Sequence, residues 1–101
     1  NSNNSNSKQR HCCNKQEQLL QQSQQTATLD LTARIITMNH AVENSNSPHS
    51  FANAASTIHS IRTTIAAETG IGNQLQPSTV ELFNKQIFLA SRNLEVNIAE
   101  L

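Results

Sequence analysis

His11-Cys12-Cys13 is the one cluster of soft ligands in the chain. Two thiols and an imidazole could hold zinc or copper, since thiolate and imidazole are usual ligands of both. Structural zinc sites, however, space their cysteines two to four residues apart, so that both sulfurs point at one ion. Adjacent cysteines do this poorly, and no second Cys pair is present. Adjacent cysteines also form only a strained disulfide with each other. The spacing predicts no metal site. It leaves Cys12 and Cys13 as free thiols or as partners in an intermolecular disulfide, with the redox compartment open.

His40, Glu43 and His49 would come together if the first two helices form a hairpin, as a mixed-ligand metal site or a pH-sensitive patch. The preferred reading is plainer: polar residues at a solvent-facing hairpin end. His59 falls beside an apolar seam and reads as a surface histidine. For nucleophilic catalysis there are many Ser residues and four His, but Asp30 is the one Asp. No Gly-x-Ser-x-Gly turn and no glycine-rich phosphate loop occur. Gly70-Ile71-Gly72 follows a helix, whereas a dinucleotide fingerprint follows a strand, so it reads as a helix stop. The carboxylates Glu17, Asp30, Glu43, Glu68, Glu81, Glu95 and Glu100 are dispersed, and His40-x-x-Glu43 reverses the Glu-x-x-His order of a di-iron helix. The expectation is a non-enzyme without cofactor or metal.

The charge balance narrows the partners. Seven basic and seven acidic residues give zero formal net charge, and uncharged Asn, Ser, Gln and Thr outnumber charged residues about threefold. Phosphate-backbone binding works through Lys and Arg displacing counterions, so nucleic acid is disfavoured. A basic membrane-surface helix is disfavoured for the same reason. No apolar run approaches the roughly 18 residues of a membrane span.

The elements that would carry any site are helices. Four Gly and Pro residues in all leave few turns, and three Phe with no Trp or Tyr poorly stock a β sandwich. Residues 1–13 read as a flexible Asn/Ser-rich tail, and 14–101 as a helical bundle domain. The first helix is expected from Asn14 to Glu43, with a seam of Leu20, Gln24, Ala27, Leu31, Ile35, Met38 and Val42. The step from Leu31 to Ile35 to Met38 breaks the three-four alternation set by Gln24–Ala27–Leu31, as a stutter does. Polar Gln24 and the Gln-rich segment 16–25 predict that its N-terminal third projects beyond the bundle. Ser47-Pro48 marks the second helix, a hydroxyl cap followed by Pro at the first helical position. That helix should run to Thr69, stop at Gly70 in the left-handed cap conformation, and bury Phe51, Ala54, Ile58, Ile61 and Ile65. Ser78-Thr79-Val80-Glu81 matches a capping box at the start of the third helix. The third helix should reach about Glu100. Its seam is Phe83, Ile87, Ala90 and Leu94, extended by Ile98 or Leu101.

Residues Pro77 to Leu101 resemble the C-terminal segment of type III secretion inner-rod subunits, in which a Pro precedes an amphipathic helix. The positions that carry the likeness are Gln86, Leu89, Leu94 and Ile98. The likeness covers a quarter of the chain and implies a secreted helical assembly subunit. In that family the helix continues further, whereas this chain ends at Leu101.

Taken together, the pattern predicts an all-α antiparallel three-helix bundle, up-down-up, completed by oligomerisation. Phe51, Ile58, Ile61, Ile65, Phe83, Ile87, Leu94, Leu31, Ile35 and Met38 are the expected core and interface residues. Arg34, Arg62, Lys85 and Arg92 are expected on its rim. The functional expectation is a structural or protein–protein interaction module, a coiled-coil-like assembly subunit whose partner is itself, as a homo-oligomer, or a larger complex. The alternatives are a helical ligand-sensing bundle of the receptor or sensor-kinase type, using Arg34 and the Arg62-Thr63-Thr64 run, and a secretion-apparatus or exported filament subunit.

Overall fold

The computed structural model describes the backbone of residues 2–70 and 75–101, and the side chains of residue 18 and of 22–69 and 75–101. It is an all-α three-helix bundle: α1 spans Ser2–Glu43, α2 Pro48–Gly70 and α3 Pro77–Ala99, and every helix packs against the other two. No strand occurs among the described residues.

The seams form the core. On α1, Ala27, Leu31, Ile35, Met38 and Val42 are buried; on α2, Phe51, Ala54, Ile58, Ile61 and Ile65; on α3, Phe83, Ile87, Ala90 and Leu94. All ten expected core residues lie in this single cluster, with Leu31, Met38, Ile61 and Ile87 at its centre. The double four-residue step on α1 leaves its seam continuously buried. Leu75 joins the cluster from the α2–α3 connection, a position the helical periodicity did not mark.

α1 has 42 residues and the other helices 23 each. At 1.5 Å per residue that is about 63 Å against about 34 Å, which accounts for the 75 × 16 × 16 Å extents. Ala27 is the first buried residue on α1 among those described, so its N-terminal part runs past the ends of α2 and α3. α1 also begins at Ser2 rather than at Asn14. Extending an existing helix adds one hydrogen bond per residue fixed and avoids the cost of nucleation, so poor helix formers can be carried along. The side chains of the Asn/Ser tract expected as a tail lie outside the described residues.

The start of α2 follows the Ser47-Pro48 signal. The Ser47 hydroxyl accepts the Ser50 N–H at 3.3 Å, and the Ser50 hydroxyl accepts the Ser47 N–H at 2.9 Å. This is a reciprocal capping box with Ser in place of the usual Glu or Gln. The start of α3 corrects the expectation. Its N-cap is Gln76, extended at φ −72° and ψ 147°, and no side chain caps it. Pro77 takes the first helical position, with its φ already set for a helix. Ser78 therefore lies inside the first turn, where it cannot be the non-helical cap that a Ser78–Glu81 box requires. Gly70, expected as the left-handed stop after Thr69, is instead the last residue of α2, and residues 71–74 lie outside the described ones.

The extension of the third seam is also corrected. Ile98 and Leu101 are exposed. After Leu94 the alternation of four and three arrives at Asn97, not Ile98, and Leu101 lies beyond the end of the helix. Ile61→Ala, at the centre of the core, should cost about 2–5 kcal/mol in urea denaturation. His59→Ala, exposed two residues earlier on α2, should change stability by less than about 0.5 kcal/mol.

Candidate functional site

The titratable candidates are separate surface groups. His40 Nδ1 lies 3.8 Å from Glu43 Oε2 on the same face of α1, with both side chains well exposed. His49 is exposed at the start of α2 and makes no recorded contact with that pair, and His59 is exposed on α2. No group of three His, Cys, Asp or Glu side chains among the described residues could hold one metal ion. The side chains of Cys12 and Cys13 lie outside the described residues. No helix among the described residues is long and apolar enough to cross a membrane.

The three arginines whose side chains are described are occupied. Arg34 Nε donates to Asp30 Oδ2 at 3.1 Å, a one-turn ion pair that the rim reading of Arg34 had not placed. Arg62 Nη2 donates to Ser91 Oγ at 3.2 Å and ties α2 to α3. Arg92 covers the Phe88 ring at 5.7 Å from its centroid. The Thr63 and Thr64 hydroxyls donate to the His59 and Ser60 carbonyls, one turn back on α2. The Arg62-Thr63-Thr64 run thus offers an incoming anion no free hydroxyl proton. A surface groove of about 400 Å³ between α1 and α2 is lined by Asp30, Arg34, Thr37, Thr57 and Ser60. There too the Thr37 and Thr57 protons are donated to carbonyls, those of Ala33 and Asn53.

The one cross-helix polar cluster closes the hairpin end of the bundle. Ser45 N–H and Ser45 Oγ both donate to the Val42 carbonyl, and Asn97 Nδ2 donates to the same oxygen at 2.9 Å and to Ser45 Oγ at 3.1 Å. Ser45 is the one buried polar residue among those described, and no buried side-chain polar atom there is left unpaired. Both residues stand where a seam would continue, three residues beyond Val42 and three beyond Leu94. The seam lists ended one step short of them because the search followed apolar residues only.

Apolar side chains make up the remaining distinctive surface. Among the described residues, Leu29, Ile36, Leu82, Phe88, Leu89, Val96, Ile98 and Leu101 are the large apolar ones left exposed. Five of the eight belong to α3 and one follows it, so α3 is apolar well beyond its buried seam. What the arrangement presents, among the described residues, is apolar area on α3 beside two exposed ion pairs on α1.

No family model matches the chain, and no curated protein or solved structure matches it either.

Removing either side chain breaks hydrogen bonds of the hairpin-end cluster, while the Val42 carbonyl keeps a donor from the other. Asn97→Ala and Ser45→Ala should each cost about 0.5–1.5 kcal/mol. The double variant should cost clearly less than the sum, because the two share one hydrogen bond. Full additivity in a urea-denaturation cycle would show that they act separately.

Proposed function

We propose that this chain is a non-enzymatic protein–protein interaction module that self-associates through its amphipathic helices. The observation that carries the reading is the set of eight exposed large apolar side chains on a domain of 101 residues. A contiguous exposed apolar surface on a small domain is the usual mark of a binding face. The core supports the same reading. Three of its fifteen members are Ala, which contribute far less than Leu or Ile on burial, so a partner that covers more apolar area adds stability the chain needs. Zero net charge removes the long-range repulsion that would keep identical copies apart.

The assembly role, whether as a larger complex or as an exported filament subunit, is the same physics carried to higher order. The ligand-sensing alternative rests on Arg34 and Arg62, and it is the weaker because both guanidinium groups already donate to protein oxygens.

Sedimentation velocity over a micromolar concentration series is the direct test. The expected result is a mass above the 11.1 kDa monomer that rises with concentration. A single 11.1 kDa species throughout would overturn the reading. Repeating the series with reductant separates Cys12/Cys13 bridging from helix packing. A thermal-shift screen against small anions is expected to show no stabilisation; a reproducible rise with one of them would favour the sensor reading instead.

A further inference from the structure

The exposed apolar residues are not scattered. Leu82, Leu89 and Val96 are spaced by seven on α3, so they share one face of that helix. Leu82 and Leu89 each precede a buried residue by one position, about 100° around the helix, which sets this face beside the core seam rather than on it. Which neighbour it faces follows from two observations. Asn97, on the same flank of α3, bonds Val42 and Ser45 at the end of α1. At the other end, Gln76 and Thr79 line a cleft together with Gln24, Thr28 and Leu29 of α1. The flank of α3 that carries the stripe therefore borders α1. Leu29 lines that cleft, and Ile36, again seven residues on and exposed, shares its face of α1.

We propose that this two-helix face, Leu82, Leu89 and Val96 with Leu29 and Ile36, docks a second copy of the chain, with the two α3 helices antiparallel about a two-fold axis at Leu89. The proposal rests on the self-association reading above and names its surface.

Three features select a second copy in this orientation. The stripe is self-complementary, because an axis at Leu89 places Leu82 opposite the partner's Val96 and Leu89 opposite its own counterpart, the requirement of an isologous contact. The flanking charges fit as well. The same axis sets Lys85 opposite the partner's Asn93 and Arg92 opposite its Gln86, so neither cation meets another. Glu100, at the C-terminal end, comes opposite the partner's Ser78 in the first turn of α3. That turn holds no acidic residue and has no side-chain cap, so its N–H groups present unmet positive charge to a carboxylate. Antiparallel pairing also sends the two N-terminal segments in opposite directions, and each carries Lys8, Arg10 and Lys15 with no acid before Glu17. Parallel pairing would lay these like charges side by side.

The area is sufficient. A face about 34 Å long and as wide as the 16 Å bundle gives roughly 550 Å² per copy, or about 1,100 Å² in all, at the lower end of specific interfaces. That size fits a reversible dimer rather than a permanent one.

Site-directed crosslinking with a short bismaleimide tests the register, in a chain carrying Cys12→Ser and Cys13→Ser. Leu89→Cys alone is expected to crosslink to dimer. Leu82→Cys and Val96→Cys should each fail alone, since each lies about 21 Å from its own counterpart, and should crosslink when mixed. All three positions are exposed, so the fold should persist, and circular dichroism checks that it does. Leu89→Glu is expected to weaken dimerisation at least about tenfold. If the chain sediments as a dimer while Leu89→Cys does not crosslink, the face is wrong and the self-association reading survives. Self-crosslinking of Val96→Cys would show a parallel pairing and overturn the geometry. An 11.1 kDa monomer at every concentration overturns both.

Discussion

Three narrow apolar seams can be dried only by one another, and that mutual burial is the constraint from which the rest of the structure follows. Each seam is four or five residues long and one or two residues wide. Paired with only one neighbour, such a helix would leave half of its seam wet. Arranged as a triangle, all three share one interior, which is why every helix touches the other two. The seams also explain the antiparallel order. Connections of four residues after α1 and six after α2 cannot return the chain to the far end of a helix about 34 Å long.

The seams have to end somewhere, and at the hairpin end they end on polar residues. Val42 is followed on its stripe by Ser45, Leu94 by Asn97, and Phe51 is preceded four residues earlier by Ser47. Asn97 and Ser45 bond the Val42 carbonyl, one of the acceptors that a helix C-terminus leaves without an intrahelical partner. Ser47 and Ser50 satisfy the first N–H groups of α2. A satisfied polar cluster at this position also sets register. Sliding α3 by one turn would bury Asn97 against apolar side chains with no acceptor, a cost of about 1–3 kcal/mol. At the other end Leu75 folds back over the core from the connection.

How far this was legible in the sequence varies with the physics involved. Helix number, order and inward face were legible because period 3.5–3.6 is a property of residue spacing alone, as Phe51 through Ile65 show. The turn at Ser47-Pro48 was legible for a local reason, the preset φ of Pro48. The same logic applied to Gln76-Pro77 would have placed the start of α3 correctly, but a capping-box pattern one step downstream competed with it. Leu75 was not legible, because a residue in a connection obeys no period. The Asn97–Ser45 contact spans 52 residues and depends on how α3 lies against α1, which no local pattern encodes. The outer stripe was visible only as spacing, Leu82, Leu89 and Val96 recurring every seven residues. A seven-residue repeat beside a stronger one is masked until burial separates the two faces.

That separation bears on what this molecule can do. The titratable pairs among the described residues, His40–Glu43 and Arg34–Asp30, are exposed one-turn contacts on α1. Binding by steering needs a charged field, which zero net charge and Asn/Ser/Thr-rich surfaces do not supply. The proposed mode of action is short-range recognition by shape and apolar area, the one resource α3 carries in excess. An affinity built that way resides mainly in the dissociation rate and varies little with salt. Identical copies are the partner such a surface meets most often, since each brings the same ridge at the same spacing. A long α1 beside a small bundle adds direction to the assembly, because it distinguishes the two ends of every subunit. In the proposed two-fold contact on one flank, the long helices point apart and their ends would be free to meet others.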